Sequence, residues 1–466
     1  MSVWLIVEWL IRIVAVPMVG RRHGPHAAAA WVAVIFAMPF VGAIVYWYIG
    51  LDRLPRRRIR RRAGRTVHRG TRIASLAERH GASLGPKEQT MLALCTDLGD
   101  FPMITGNALT LLGSHTEVID TLVADIDAAK HHVHLLFYIF EDDAIGHRVA
   151  DAMRRAAARG VICRMLLDDT GSARFLRRYA RGLWADGVEV QRALPVNPAR
   201  FFLARIDLRN HRKLAVIDGR LGYAGSANVV DPSYGNTDLC WEDAMIRIEG
   251  PAVQHLQEVF AGDWLLDAEV RIEGADYYPT PVVAGDQRVQ AVPSGPSDPT
   301  EIFAELILAA IHDARSTVVL TTPYFIPDVP ILRAIQMAAR RGVKVELVLP
   351  KRVDHRIVGA AGRAYFDDML AAGVIIHRHP AVLHTKSLTV DDVFAVFGSG
   401  NIDVRSFQLN YELNLLLPGA AITAQVRALQ AQYISESETI DPAAWAARPV
   451  WYWAPEQAAK LLSPIL

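Results

Sequence analysis

Two stretches of this 466-residue chain carry the same six residue types at the same spacing. The first set is His211, Lys213, Asp218, Gly225, Ser226 and Asn228. The second is His384, Lys386, Asp391, Gly398, Ser399 and Asn401. The residues between them differ, so the spacing itself is what repeats. One His-x-Lys means little, but two full copies require two equivalent structural units that present the same chemistry.

The surroundings repeat as well. Ala129–Leu136 and Ala314–Leu320 each begin with a polar turn and run into apolar residues. A helical run follows each, ending at Arg159-Gly160-Val161 and Arg341-Gly342-Val343. The short apolar strands Ile162–Leu167 and Lys344–Leu349 come next, then a second helix closing on Gly187-Val188 or Gly373-Val374. Glycine at a helix end before a β-branched strand is the punctuation of α/β units. The period is too long for a solenoid. The expected fold is therefore α/β, with two pseudo-symmetric lobes of mixed, largely parallel sheets and flanking helices. The expected boundaries are 1–52 for a membrane anchor, 53–106 for a basic neck and linker, 107–276 for the first lobe and 277–466 for the second. The Pro-, Gly-, Ser- and Asp-rich stretch Tyr277–Pro299 reads as the inter-lobe linker.

Charge is unevenly placed. The chain balances 50 Lys and Arg against 49 Asp and Glu, yet residues 1–65 hold 11 Arg and only two acids, Glu8 and Asp52. The remaining 401 residues carry 39 basic and 47 acidic side chains, a net of −8. Ala27–Ile49 is 23 residues without a charge, with Trp31, Tyr46, Trp47 and Tyr48 near its ends. That is long enough to span a bilayer. Val3–Val19 is a second apolar run containing Glu8 and Arg12, four apart and able to pair on a helix. It either crosses the membrane or lies in its interface, and a two-helix hairpin is the favoured reading. No small-residue cleavage site follows it, so an uncleaved anchor is expected. The Arg53–Arg65 block predicts a cytoplasmic body and attraction to anionic lipid. Cys95, Cys163 and Cys240 lie far apart, which fits a reducing compartment.

The motif residues form a phosphate-handling inventory. Alternation along an extended chain projects His211 with Lys213, and His384 with Lys386, to one side. Two sets facing each other give two imidazoles, two ammoniums, two hydroxyls and two amides. No Cys, His or carboxylate cluster has metal-ligand spacing, so no metal is expected.

The paired His-x-Lys-x4-Asp-x6-Gly-Ser-x-Asn pattern resembles the phospholipase D superfamily. Within it, Arg209–Lys213, Arg247–Val253, Thr322–Pro327, Asn401–Phe407 and the tail Leu461–Leu466 resemble bacterial cardiolipin synthases. The resemblance covers essentially the whole chain. One departure is Ser226, where that family often has a second glycine. The resemblance implies a metal- and cofactor-free transfer of a phosphatidyl group between two phosphatidylglycerols, through a phosphohistidine. Of the two, His211 is taken as nucleophile and His384 as acid/base, although the near-symmetry of the motifs leaves the choice open. Lys213, Lys386, Asn228 and Asn401 are expected to hold phosphoryl oxygens, with Ser226 and Ser399 donating nearby. Asp218 and Asp391 belong to the motif set, with structural ion pairing expected of them. Asp243 and Glu412, at corresponding places before apolar strands, are the carboxylates expected to orient the imidazoles. Both motifs lie in one chain, so an oligomer is possible but not needed for the site.

Rival readings are a hydrolytic phospholipase D, a transferase with another alcohol acceptor, a nuclease and a non-enzymatic scaffold. The acidic body speaks against nucleic acid, and two intact motifs speak against a scaffold. For Asp168 and Asp169 a loop cap is expected. Trp445, Trp451, Tyr452 and Trp453 are left between membrane contact and ordinary packing.

Overall fold

The computed structural model describes residues 3–22, 24–50, 70–82, 101–196, 207–235, 240–296, 298 and 301–461. The Arg53–Arg65 block, Cys95 and the tail beyond Leu461 lie outside the described residues. The N-terminal segment and the body form separate compact units.

In the N-terminal unit, helix Val3–Gly20 packs against Pro25–Ala37 and Pro39–Val45. Ala15, Val19, Ile35 and Tyr46 are buried between them. Glu8 and Arg12 pair at 3.2 Å, and Arg12 Nε also donates to the Phe36 carbonyl at 3.3 Å. The expected single helix over 27–49 is broken. Pro39 lacks an N–H and disfavours helical geometry at the residue before it, and Met38 sits at φ −137°, ψ 78°. Among the described residues only Val3–Gly20 is a helix long and apolar enough to cross a membrane alone, with a mean hydropathy of 1.9.

The body is built on a 16-stranded sheet made of two equivalent halves. In the first lobe the order from the outer edge is Val188–Ala193, Ile162–Asp168, His132–Phe137, Leu214–Ile217, Leu221–Gly225, Met245–Glu249 and Ile104–Leu112. In the second it is the two-residue edge strand Glu438–Thr439, then Ile375–His379, Lys344–Pro350, Thr317–Thr321, Ser387–Val390, Phe394–Gly398, Asn410–Pro418 and Gln287–Ser294. Three strands of each lobe are parallel and linked by helices: Val188–Ala193, Ile162–Asp168 and His132–Phe137 in the first, Ile375–His379, Lys344–Pro350 and Thr317–Thr321 in the second, where Glu438–Thr439 adds an antiparallel edge. The inner strands pair antiparallel. The lobes join where Ile104–Leu112 pairs antiparallel with Gln287–Ser294. The stretch expected to be linker thus contains the first strand of the second lobe. Its Gly- and Pro-rich flanks masked an eight-residue strand that closes the junction.

The four helix-ending glycines Gly160, Gly187, Gly342 and Gly373 have φ between 85° and 91°. That left-handed region strains any residue with a Cβ, which explains why each helix stops there and turns into a strand. Helices Val253–Ala268 and Ala420–Ser435 cover the middle of the sheet, where Leu256, Phe260 and Trp264 share a core with Phe397, Leu415 and Tyr433. One core thereby spans both lobes and fixes their relative placement.

Candidate active site

Two short inter-lobe pairings build the site. Arg209–Asn210 of the first lobe runs parallel to Asn410–Tyr411 of the second, and His211 N–H donates to the Tyr411 carbonyl at 2.9 Å. Reciprocally, Trp241–Glu242 of the first lobe runs parallel to Val382–Leu383 of the second, and His384 N–H donates to the Glu242 carbonyl at 2.8 Å. Each His-x-Lys stretch lies between strands rather than within one. Inter-lobe hydrogen bonds hold it, and each lysine folds back on its own motif. Lys213 Nζ donates to the His211 carbonyl at 2.7 Å, and Lys386 Nζ to the His384 carbonyl at 2.5 Å.

The carboxylates cross over. His211 Nδ1 sits 2.9 Å from Glu412 Oε2, across the lobe boundary. His384 Nδ1 sits 2.7 Å from Asp243 Oδ1, across it in the other direction. All four side chains are buried. Burial pushes both imidazoles down to about 4, against the pull of their carboxylates. Burial alone raises a carboxyl, but His384 and Lys386 outweigh it and hold Asp243 down to about 2. Glu412 is lowered in the same sense, with burial opposed chiefly by His211. A neutral imidazole beside an ionised carboxylate donates its Nδ1–H to it, leaving the Nε2 lone pair unprotonated.

The lysines feel one another. Burial pushes Lys386 down to about 8 and Lys213 well below the usual lysine range, and the Lys386 charge adds to the effect on Lys213. Two buried lysines, one lowered by the other's charge, favour an anion beside them. Asn228 accepts from Ile139 N–H at 3.1 Å through its carbonyl oxygen, while its buried Nδ2 has no hydrogen-bond partner in the structure. That leaves a donor of the kind a phosphoryl oxygen would satisfy. The Asn401 backbone N–H donates to Ser406 Oγ at 3.1 Å, and its side chain engages Asp403. Aromatic rings back the imidazoles: Tyr138 meets His211 edge-on at 4.9 Å, and Trp241 lies 4.5 Å from His384.

Two expectations are corrected. Ser399 Oγ donates to Glu412 Oε2 at 2.6 Å, and Ser226 Oγ makes a 3.1 Å bond with the Ala244 carbonyl while accepting from Ala244 N–H. Both hydroxyls are buried and committed to holding the carboxylate segments, not to a substrate oxygen. Asp218 and Asp391 lie at the opposite end of the strands from the histidines, and backbone amides satisfy them instead of cations. Asp218 accepts from Lys130, His131 and His132 N–H; Asp391 accepts from Arg315, Ser316 and Thr317 N–H. Each sits in a hairpin turn at positive φ and ties that turn to the start of the neighbouring strand. Asp168 is a cap, accepting from Thr170, Gly171 and Asn210 N–H, while Asp169 pairs with Arg192. Among the described residues no group of three or more His, Cys, Asp or Glu is placed to hold a metal.

Sequence reasoning missed the buried Arg212, which bonds Asp263 at 2.6 Å, the Glu412 carbonyl at 2.9 Å and the Ser294 carbonyl at 3.2 Å. It also missed Ser406, whose hydroxyl donates to Glu412 at 2.9 Å. An arginine between the motif histidine and lysine was the available signal for the first. Nothing local marked the second.

A duplicated α/β sheet joining two His-Lys sets at its centre defines the phospholipase D class. The family model described as "Cardiolipin synthase, PLD-like domain" matches residues 122–264 and 307–433. The model described as "Phospholipase D-nuclease N-terminal" matches residues 1–50. Cardiolipin synthase A of Cronobacter sakazakii is 35% identical over 99% of this chain and 98% of its own. That of Edwardsiella ictaluri is 36% identical with the same coverage. A phosphatidylserine synthase from Haemophilus influenzae shares the fold, with a TM-score of 0.64, 16% identity and coverage of 81% of this chain and 100% of its own. The chain belongs to the cardiolipin synthase family. With its apolar N-terminal helix it is a membrane-associated phosphatidyltransferase of the phospholipase D superfamily.

Proposed function

We propose that the protein joins two phosphatidylglycerol molecules into cardiolipin and glycerol, with His211 as nucleophile and His384 as acid/base. The observation that carries this reading is the pair of buried imidazoles, each held at Nδ1 by a carboxylate from the opposite lobe. His211 Nε2 attacks phosphorus, and the bond to the glycerol oxygen breaks. His384, protonated at Nε2 once the anionic substrate is in place, gives that proton to the departing alkoxide and is left neutral. The negative phosphodiester, on entering, raises the tendency of His384 to hold that proton. The hydroxyl of a second phosphatidylglycerol then attacks the phosphohistidine while His384 takes up its proton. Lys213, Lys386 and the Asn228 amide stabilise the phosphoryl oxygens. One phosphodiester is exchanged for another, so no nucleotide is consumed.

The same reading takes residues 1–52 as a two-helix anchor, 53–106 as neck and linker, and 107–276 and 277–466 as the lobes. The Arg53–Arg65 block supports a body on the cytoplasmic side. The body's net −8 favours a lipid over a nucleic-acid substrate.

The deciding test is a product assay on purified protein in mixed micelles with phosphatidylglycerol as the only phospholipid. Cardiolipin with free glycerol, absent from His211→Ala and His384→Ala, is expected. Phosphatidic acid as the main product would replace this reading with hydrolysis.

A further inference from the structure

The aromatic residues of the C-terminal segment divide sharply. Trp445 is buried on Phe366, and its indole N–H donates to Asp367 at 2.8 Å. Five residues later, the first turn of helix Val450–Lys460 begins and carries four large side chains into solvent. Val450 is 69% exposed, Trp451 73%, Tyr452 59% and Trp453 47%. The helix is held from behind: Glu456 is buried and pairs with Arg363 at 2.7 Å and with Arg448 at 3.3 Å. The aromatic turn is thus presented by a docked helix, not left on a loose end. Soluble surfaces rarely concentrate apolar area this way. Trp and Tyr together, with an apolar body and a polar tip, suit the bilayer–water boundary.

The adjoining surface completes the pattern. Helix Arg356–Arg363 packs against Val450–Lys460 and adds Ile357, itself 55% exposed. Arg352 and Arg356 are exposed beside it, and no carboxylate pairs with either among the described residues. Unpaired arginines around exposed aromatics complement anionic head groups. The same segment leads to the reactive centre. Asp354 accepts from the Tyr324 hydroxyl at 2.5 Å, and its charge acts on Lys386.

We infer that the Val450–Trp453 turn, with Ile357, Arg352 and Arg356, is a second membrane-docking element that seats the catalytic body on an anionic bilayer beside its site. It rests on the reading that the substrates are bilayer lipids, and it adds a contact separate from the N-terminal anchor. Seating of this kind would let a phosphodiester head group reach the lysines while its acyl chains stay in the membrane.

The test uses the full chain with Cys95→Ser and Cys240→Ser and a nitroxide attached at Tyr452→Cys, in nanodiscs of phosphatidylglycerol with phosphatidylethanolamine. A control nitroxide sits at Asp392→Cys, whose native side chain is 86% exposed. The label at 452 should be reached by oxygen and shielded from a water-soluble nickel complex, with the reverse at 392. Arg352→Gln with Arg356→Gln should reduce that shielding. Nickel access at 452 equal to that at 392 overturns the proposal. Strong dipolar broadening between labels at 452 also overturns it, in favour of contact between copies of the chain. The depth measurement needs no turnover, so it stands apart from any failure of the proposed reaction. In kinetics, Trp451→Ser with Trp453→Ser should raise KM several-fold for vesicle phosphatidylglycerol. It should leave KM for a monomeric short-chain analogue unchanged.

Discussion

Glu412 and His211 lie 201 residues apart in sequence and 2.9 Å apart across the lobe boundary. Asp243 and His384 repeat the relationship in reverse at 2.7 Å. An imidazole positioned from the other half of the molecule depends on both halves for its tautomer and its aim.

Removing only the charge of that partner tests this dependence. Glu412→Gln keeps the size of the side chain but turns one accepting oxygen into a donating amide, so it loses both the charge that favours the Nδ1–H tautomer and part of what it accepts from His211, Ser399 and Ser406. Turnover should fall about 10²–10⁴-fold, the range seen when a general-base system loses its orienter. Product formation from phosphatidylglycerol would measure it. Asp243→Asn should behave alike, and a loss under about threefold in both would remove the carboxylates from the mechanism.

The roles of the two histidines can be separated with a phosphatidyl p-nitrophenyl ester, whose leaving group needs no acid. His384→Ala should then release one equivalent of p-nitrophenol in a burst and retain an alkali-stable phosphoryl group on His211. His211→Ala should give neither. The opposite pattern would exchange the assignments.

Acid sensitivity follows from the buried imidazoles. Both are lowered from the usual 6.5 to about 4. Between those values the unfolded chain binds more protons than the native one, so stability rises with pH through that window. The contribution is complete above about 6.5 and is lost as pH falls to about 4, on the order of a few kcal/mol in total. Thermal unfolding in detergent should show the midpoint dropping across that range. His384→Asn should flatten the drop. An unchanged slope would place the sensitivity elsewhere.

The motif aspartates should act on stability and leave chemistry alone. Asp391→Ala strands the N–H groups of Arg315, Ser316 and Thr317. The expected cost is about 1–3 kcal/mol, read as a lower unfolding midpoint with kcat within about twofold of wild type. A large kcat loss at unchanged stability would return Asp391 to the catalytic group.

The two motifs and the repeated helix–Gly–Val–strand units made the lobes legible, because left-handed glycines and apolar strands are local signals. The break at Met38 is written locally in Pro39, but the run of apolar residues around it reads as one span. The strand Gln287–Ser294 was hidden because Pro293 and the turn residues beside it read as linker. Glu412 and Asp243 were found through their equivalent places in the repeat. Their crossed pairing was not, since each lobe read alone puts its own carboxylate near its own histidine in sequence. Ser399 looked like a phosphate donor because nothing local says that its hydroxyl is committed to Glu412.

The crossed carboxylates mean that neither half of the molecule holds a complete catalytic unit. What two identical halves would supply by symmetric pairing is here written twice into one continuous chain. That releases the copies from being the same. Arg212 with Asp263 now braces one side, and Thr385 with Tyr433 the other. A single polypeptide can therefore specialise one half for donating a phosphatidyl group and the other for protonating what leaves, a division of labour closed to any assembly of equal subunits.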